Sequence, residues 1–325
     1  MKNPITATLR GMLDVHGATQ KVSVTPSVDG LDGRTALVTG ANRGLGRAVA
    51  VELARREARV IMACRTAAAD TVGQVQRESG STAVELRRVD LADLRTVAAL
   101  CEDLARDGVT IDVLVLNAGV VPASARPTAQ GLELMIGVNF VANVALVEGL
   151  LDAGVLRPDA ARPPRIVFVS SESHRGAGPA DTEALAAMRP YGAMGSMRVY
   201  GYSKFLLTTY ACELARRLGN RASVHACCPG PIDSDIAREA PAWIKPVLAV
   251  VMKRFFRSPG DAAAPVVHLA CARELDTRSG AYLHLMNEKQ PDAACTGVDG
   301  ERLVQASREL IASKLEERST HEQRL

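Results

Sequence analysis

A strand, a glycine-rich turn and a helix follow one another between Arg34 and Arg56, and this order limits the available folds more than any other stretch. Thr35-Ala-Leu-Val-Thr39 has the apolar run of a buried strand, and Gly40-Ala-Asn-Arg-Gly44-Leu-Gly46 supplies the turn. Glycine allows a tight bend and a close approach to a pyrophosphate, whose charge the amides and dipole at the helix start attract. The stretch therefore predicts a phosphate-binding unit.

The glycine spacing is G-x-x-x-G-x-G, which differs from the commoner G-x-G-x-x-G fingerprint, so alone it also fits an ordinary strand-to-helix turn. Its place at the first strand of an alternating β/α series favours the phosphate site. Further strands, separated by helical patterns, are predicted at 59–63, 83–89, 111–116, 165–171 and 222–227. The pattern predicts an α/β fold: a single Rossmann-type doubly wound parallel sheet of about seven strands with helices on both faces.

No internal repeat or flexible linker divides the central part of the chain, so residues 34–290 are predicted to form one domain. Residues 1–33 precede it as an N-terminal arm, in which Ile5 to Leu13 could instead form a short amphipathic helix. Thr128 to Leu151 is predicted to be one long helix bearing Asn139, whose amide is a structural hydrogen-bonding group or part of a polar relay. Residues 291–325 are predicted to form a helical tail.

The composition excludes several classes of protein. The 325-residue chain is 47% hydrophobic with a scattered net charge of +3, which fits a large buried core and argues against nucleic acid as a partner. Its seven cysteines lack the spacing of a zinc or redox site and are interpreted as reduced core residues, and no metal is expected. No apolar run of membrane-spanning length or signal peptide is recognised, so a cytoplasmic location is expected.

Two arginines indicate the class of nucleotide. The acidic residue that usually binds ribose hydroxyls about 20 residues beyond the glycines is missing, and Arg65 follows the second strand. Together with Arg43 in the glycine turn it could place two guanidinium groups around a ribose phosphate. The prediction is NADP(H) rather than NAD(H), the alternative being that both arginines are merely solvated.

Tyr200 and Lys204 lie four residues apart in a helical pattern, so their side chains share one face. A phenol with an ordinary pKa near 10 is a poor proton-transfer group at neutral pH unless a nearby cation favours its phenolate. The pair is predicted to be such a device, although a solvated helix face has the same spacing.

An ordered set of motifs resembles the short-chain dehydrogenase/reductase family over residues 33–286. A further group of motifs is similar to the retinol dehydrogenase-like branch, and it includes the Met62–Arg65 strand end, the long segment between Ser171 and Tyr200, and Ser279-Gly280-Ala-Tyr282. The family motifs are Thr39-Gly40-x-x-x-Gly44-x-Gly46, Asp90, Asn117-Ala118-Gly119, Asn139, Ser171, Tyr200-x-x-x-Lys204 and Pro229-Gly230.

The resemblance implies a role for each catalytic candidate. Tyr200 would exchange a proton with the substrate oxygen, Lys204 would lower the tyrosine pKa, Ser171 would polarise that oxygen, and Asn139 would complete a proton relay. Cofactor contacts are implied for Gly40, Asn42, Arg43, Gly44, Leu45, Gly46, Arg65, Asp90, Leu91, Asn117, Ala118, Gly119, Tyr200, Lys204, Pro229, Gly230, Ile232 and Ser234. The implied activity is NADP(H)-dependent interconversion of a carbonyl and an alcohol.

Two departures from the family pattern leave questions open. The separation of Ser171 and Tyr200 exceeds the usual dozen or so residues, which suggests an enlarged flap over the substrate. Ser170 stands beside Ser171, so the choice of Ser171 rests on the family pattern. His174 is interpreted as a loop residue without a chemical role rather than as a third acid.

An apolar loop at about 235–257, with Trp243, Phe255 and Phe256, suggests a bulky apolar carbonyl or alcohol substrate, or alternatively a dimer interface or core helix. The expected assembly is a homodimer or homotetramer. A catalytically silent NADP(H)-binding sensor or scaffold remains an alternative, as does a dehydratase or epimerase of the same family.

Overall fold

The computed structural model describes residues 30–66, 70–159, 161–232, 257–297 and 300–322. Most of the N-terminal arm, Ser234 and nearly all of the predicted apolar loop therefore lie outside the described residues. The described strands are β1 Thr35–Thr39, β2 Arg59–Cys64, β3 Val84–Arg88, β4 Val113–Leu116, β5 Arg165–Val169, β6 Ser223–Cys228, β7 Tyr282–His284 and β8 Asn287–Lys289.

These strands form one sheet in the order β3-β2-β1-β4-β5-β6-β7-β8. All neighbouring pairs are parallel except β7 and β8, which are antiparallel. The order reverses between β1 and β4, so a ligand crevice is expected at the carboxyl ends of these two strands. The predicted doubly wound parallel sheet is confirmed, with eight strands where about seven were expected, because Asn287–Lys289 adds a short return strand.

The helices are α1 Gly44–Arg55, α2 Thr71–Ser79, α3 Leu94–Arg106, α4 Leu134–Asp152, α5 Ala193–Leu218, α6 Pro259–Cys271, α7 Ala293–Gly297 and α8 Gly300–Glu322. Two buried clusters occupy opposite faces of the sheet, because successive strand residues point to opposite sides. Ala36 and Val38 face the cluster covered by α1 and α6, whereas Leu37 faces the cluster formed with α3, α4, α5 and α8.

Helix α4 begins later than predicted and is not regular throughout. Gly131 adopts a left-handed φ of +76°, and the Glu133 carboxylate accepts hydrogen bonds from the amides of Met135 and Ile136, so the helix starts at Leu134 and not at Thr128. Residues Gly137–Val141 form a π-helical turn, a feature often found at functional sites. Asn139 lies in the middle of that turn.

Helix α4 is also long and apolar enough to pass as a membrane span by length and composition, contrary to the sequence prediction that no such run exists. Its most apolar 18-residue window is 78% buried inside the protein, which is typical of a core helix and makes the helix weak evidence for a membrane span.

Helix α5 begins at Ala193, so Tyr200 lies inside the helix and not at its start. Gly192 is extended at its start, and Ser196 in the first turn donates to the carbonyl of Pro122 over 2.7 Å. The part of the preceding insertion at 193–199 is therefore helical. Tyr200 consequently sits on a rigid element that is anchored one turn earlier.

Candidate active site

The glycine turn has backbone positions that suit glycine alone. Gly40 and Gly44 have left-handed φ values of +66° and +55°, which other residues rarely adopt. A Cβ atom on Gly46 would lie 2.4 Å from the carbonyl oxygen of Gly40 and 2.5 Å from Asn117 Nδ2, so only glycine fits. The start of α1 is thereby held tightly against the end of β1.

The motif after β4 is tied to the same turn. Thr39 Oγ1 accepts hydrogen bonds from the amides of Asn117 and Ala118 at 2.9 and 3.0 Å. Asn117 Nδ2 donates to the Thr39 carbonyl over 2.8 Å. These bonds join the carboxyl ends of β1 and β4, the two strands that flank the reversal in strand order.

The two arginines lie on loops that are joined to each other. Asn42 Nδ2 donates to the carbonyl of Thr66 over 2.8 Å, which links the glycine turn to the residues that follow β2. Arg43 and Arg65 are exposed on these loops. Asp70, the next acidic residue along the chain, is paired with Arg77, so it is already neutralised on the surface. The edge of the crevice next to β2 thus carries cationic groups.

The other cofactor candidates lie at carboxyl ends of neighbouring strands. Asp90 and Leu91 follow β3, where Asp90 Oδ1 accepts from the amide of Ala92 over 3.0 Å. Pro229 and Gly230 follow β6, and Gly230 has a left-handed φ of +85°. The other described cofactor candidates named from sequence, Gly119, Leu45 and Ile232, also lie at this edge or on the turns that follow it.

Lys204 is buried and points at the strand that leads to the predicted serine. Its Nζ donates to the carbonyl of Val169 over 2.8 Å and lies 5.8 Å from the centre of the Tyr200 ring. Burial lowers the pKa of Lys204 to about 8. The ammonium group therefore lies beside the tyrosine ring, and its burial disfavours the charged form.

The pKa of Tyr200 moves opposite to the sequence expectation. Burial raises it to about 12, while the hydrogen bond with the Ser171 side chain lowers it by less. Desolvation of the phenolate is the largest cause, so the net shift in the cofactor-free protein is upward, and the role expected of Lys204 stays a prediction. The phenol therefore keeps its proton at neutral pH.

The structure separates the two adjacent serines. Ser170 Oγ is buried and lies 2.6 Å from Thr208 Oγ1 in the core, whereas Ser171 has Tyr200 as a side-chain partner. Successive residues after β5 point to opposite sides, which explains the difference. Ser171 Oγ also donates to Ser173 Oγ over 3.1 Å, a partner that sequence reasoning missed.

Asn139 is fully buried and its amide is engaged in structural hydrogen bonds. Oδ1 accepts from the amide of Val120 over 2.8 Å, and Nδ2 donates to the Val120 carbonyl and to Ser203 Oγ at 3.0 and 3.1 Å. Ser203 in turn donates to the carbonyl of Tyr200 over 2.8 Å. A Cβ atom on Gly119 would lie 3.3 Å from Asn139 Oδ1 and 3.6 Å from Lys204 Nζ, so these residues surround one spot.

Residues 176–192, here called the flap, follow a path that the sequence left open. Tyr191 donates to Glu133 Oε1 over 2.8 Å, which ties the flap to the start of α4. The Tyr202 hydroxyl accepts from the amide of Asp181 over 2.8 Å, which ties the flap to α5. These long-range partners have no local sequence signal, because each contact joins residues far apart in the chain.

His174 lies in the segment between β5 and α5. It ends a 3-10 turn, Glu172–His174, and is fully buried. Its Nδ1 lies 2.7 Å from the carbonyl oxygen of Ser171, and its Nε2 accepts from the amide of Asp292 over 3.1 Å. Among the described residues, no cluster of three or more His, Cys, Asp or Glu side chains is arranged to hold a metal ion.

Comparison with known proteins agrees with this arrangement. The family described as short chain dehydrogenase matches residues 34–245. Retinol dehydrogenase 14 of Homo sapiens is 34% identical over 278 residues, which cover 80% of each chain. Dehydrogenase/reductase SDR family member 13 of Bos taurus is 34% identical over 286 residues, covering 86% of this chain and 74% of that protein.

Two solved structures share the fold and are identical to this chain at more than a quarter of the aligned positions. A putative uncharacterized protein from Mycobacterium Paratuberculosis has a TM-score of 0.66 and 26% identity, covering 88% of this chain and 96% of its own. A putative NAD(P) dependent gluconate 5-dehydrogenase from Beutenbergia cavernae, with bound NADP, has a TM-score of 0.58 and 28% identity, covering 79% and 96%.

Proposed function

The chain belongs to the short chain dehydrogenase family of oxidoreductases, and we propose that it interconverts a carbonyl and an alcohol on a bulky apolar substrate with NADP(H). The observation that carries the proposal is the meeting of Ser171, Tyr200 and Lys204 at the carboxyl ends of the strands, beside a glycine turn that admits a phosphate. Such a set matches what proton-coupled hydride transfer requires.

The chain's own groups would act on the substrate oxygen. When bound, the nicotinamide cofactor supplies or accepts the hydride. Ser171 would donate a hydrogen bond to the oxygen and stabilise its developing charge, after releasing Ser173. Tyr200 would donate its proton to that oxygen during reduction. Burial raises its pKa to about 12 in the cofactor-free protein, which makes the phenol a weaker acid, so donation would depend on the neighbouring Lys204 and on the bound cofactor to lower that pKa. In oxidation the phenolate would need Lys204 and the cofactor's positive charge for stabilisation.

The residues around the glycine turn fit the adenosine side of NADP(H). Gly40 and Gly46 pack closely against Asn117 after β4, and Arg43 and Arg65 stand on loops that Asn42 joins. A guanidinium pair suits a ribose phosphate. The NADP bound by the similar protein from Beutenbergia cavernae agrees with this interpretation. Arg43→Ala and Arg65→Ala should each weaken the binding of NADPH but not that of NADH. A preference for NADH in the parent that both variants retain would contradict the proposed use of NADP(H).

The substrate class rests on the relatives and on the sequence of the apolar loop. Several similar proteins are named retinol dehydrogenases, whose named substrate is a large apolar alcohol. The loop with Trp243 is rich in apolar side chains. We also propose a cytoplasmic location and a homodimer or homotetramer, which cell fractionation and light scattering would test.

The alternatives predict different results. A silent NADP(H)-binding sensor or scaffold would bind NADPH without turnover, and a dehydratase or epimerase would act without net consumption of the cofactor. The presence of Asn139, Ser171, Tyr200 and Lys204 in one site favours turnover.

The deciding experiment follows the loss of nicotinamide absorbance when NADPH-loaded protein meets all-trans-retinal, decanal, a steroid ketone and glyceraldehyde. Turnover of the apolar compounds is expected, and reaction with glyceraldehyde alone would remove the proposed substrate class. Tyr200→Phe should lose turnover by about 10²-fold or more while still binding NADPH. Tyr202→Phe, whose lost hydroxyl faces the flap, should keep turnover measurable.

A further inference from the structure

We infer that His174 is a positioning residue for Ser171: its imidazole fixes the backbone of the serine that would polarise the substrate oxygen. The inference rests on the proposed function of Ser171. It assigns a role to a buried side chain that the proposed proton transfer does not use.

The His174 imidazole interacts with Ser171, the residue that starts its own 3-10 turn. Ser171 caps the 3-10 turn, and its carbonyl oxygen receives two interactions from His174. The backbone amide of His174 lies 3.0 Å from that oxygen and the imidazole Nδ1 lies 2.7 Å from it. A carbonyl held from two directions has little freedom to rotate, so the adjacent Ser171 side chain is held as well.

The opposite edge of the ring fixes its tautomer. Nε2 faces the backbone N–H of Asp292 at 3.1 Å, and because an amide can only donate, Nε2 must accept. The proton of the neutral ring therefore lies on Nδ1 and is donated to Ser171. Asp292 Oδ2 also accepts from the amide of Gly176 over 3.1 Å, so the segment after β8 clamps both the ring and the start of the flap.

The surroundings keep the ring neutral. Burial lowers the pKa of His174 and the Arg175 cation adds to this, whereas the Ser171 carbonyl, Glu172 and Asp292 oppose it. The phenol of Tyr282 stands over the same turn, donating to Glu172 Oε1 over 2.9 Å. Lys289 Nζ lies 3.8 Å from the other oxygen of Glu172. The charged groups thus pair with one another around a neutral imidazole.

Small displacements of Ser171 would matter for turnover. Its hydroxyl donates to Ser173 Oγ and lowers the pKa of the neighbouring Tyr200, and substrate would have to take the place of the Ser173 contact. A misplacement of about 1 Å at a reacting group can reduce a rate about 100-fold. Loosening the Ser171 carbonyl should therefore lower kcat more than it changes binding of the cofactor.

Two conservative variants separate the two edges of the ring. In His174→Asn the side-chain amide nitrogen takes the place of Nδ1 and can still donate to Ser171. In His174→Gln the longer side chain places its amide near the position that Nε2 occupies in the parent. It can therefore still accept from the Asp292 amide but can no longer donate to the Ser171 carbonyl. With decanal or all-trans-retinal, kcat should stay within about threefold in the asparagine variant and fall about tenfold or more in the glutamine variant.

The KM for NADPH should be unchanged in both variants. A purely structural role would reduce kcat equally in the two, and equal kcat values would overturn the inference. Should His174→Gln fail to fold, His174→Phe keeps the ring volume without a donor and should show the same loss.

Crystal structures of the variants give a readout that needs no turnover. The distance between Ser171 Oγ and the Tyr200 hydroxyl should be kept in His174→Asn and lengthened in His174→Gln. An unmoved Ser171 in the glutamine variant would overturn the inference. Absence of turnover in the parent protein would instead contradict the proposed function. The crystal structures would still test the positioning of Ser171, because they need no activity.

Discussion

The Lys204 ammonium lies 2.8 Å from the Val169 carbonyl oxygen, at the end of the strand that leads into Ser171. This is the one hydrogen bond that the described part of the chain provides to this ammonium group. A charge so poorly solvated is retained at the expense of stability, which is expected of a group that serves chemistry rather than folding.

Lys204→Met should therefore change stability in a pH-dependent way. The pKa of Lys204 is lowered to about 8 by burial, from an ordinary value near 10.5. Between these values the unfolded chain keeps a proton that the native protein has lost, so the stability of the parent rises with pH. The methionine variant lacks this rise. Its free energy of unfolding minus that of the parent should therefore fall by about 3 kcal/mol between pH 7 and pH 10.5.

Calorimetry of the cofactor-free proteins at several pH values measures this difference. Loss of the bond to Val169 offsets part of the gain at pH 7, so the trend with pH is the sharper test. Lys314→Met, at a surface pair with Glu317, serves as the control and should change stability little at either pH. If the stability of Lys204→Met relative to the parent instead rose towards pH 10.5, the prediction would be contradicted.

Ser171→Ala and Ser170→Ala should affect different properties. Ser171 interacts with Tyr200, so its loss should lower kcat by about 10²- to 10³-fold. It should also cost about 1 kcal/mol of stability, because the Ser171 side chain caps the 3-10 turn. Ser170 bonds with Thr208 in the core, so its loss should cost about 1 kcal/mol of folding free energy while turnover persists. Steady-state kinetics and thermal melts of both variants check this, and the reverse pattern would reassign the serine.

The sheet and the glycine turn could be predicted from sequence because their signals are local. Thr35–Thr39 is a short apolar run before closely spaced glycines, and both the strand and the left-handed turn at Gly40 were found. The start of α4 was misplaced, because the carboxylate of Glu133 caps the helix and a residue type alone does not reveal which backbone amides it will meet.

The details of the site depended on contacts between distant residues. Tyr200 and Lys204 were found by their spacing, but the direction of the Tyr200 pKa shift is set by burial that no spacing encodes. The burial of His174 was not predicted for the same reason, since its partner Asp292 lies more than a hundred residues away. The roles assigned to Asn139, Ser171, Tyr200, Lys204 and the two arginines stay predictions.

Gly46→Ala should impair NADPH binding and folding together. The added methyl would lie 2.4 Å from the Gly40 carbonyl, which is backbone and cannot move aside, so the turn and α1 must separate. NADPH affinity should fall more than about tenfold, with about 1–3 kcal/mol lost in stability. Gly192→Ala is the matched control, because its site has open space and a φ of −106°. Fluorescence titration with NADPH checks both, and wild-type affinity in Gly46→Ala would contradict the expectation.

Tyr191→Phe should loosen the flap without touching the proton-transfer groups. The lost hydroxyl donates to Glu133 Oε1 over 2.8 Å, and that carboxylate keeps its two backbone donors, so helix α4 should remain capped. Since the bond is worth about 1 kcal/mol, the KM for decanal should rise about fivefold while kcat changes less.

Arg189→Gln is the control on the same flap. Its ion pair with Asp181 spans 3.8 Å between exposed side chains and should contribute little, so the KM should stay near that of the parent. Tyr202→Phe removes the second flap anchor, at Asp181, and should raise the KM in the same direction as Tyr191→Phe. Steady-state kinetics at saturating NADPH measure all three variants. An unchanged KM in both tyrosine variants would mean that the flap does not cover the substrate, whereas a matching rise would identify it as part of the binding site.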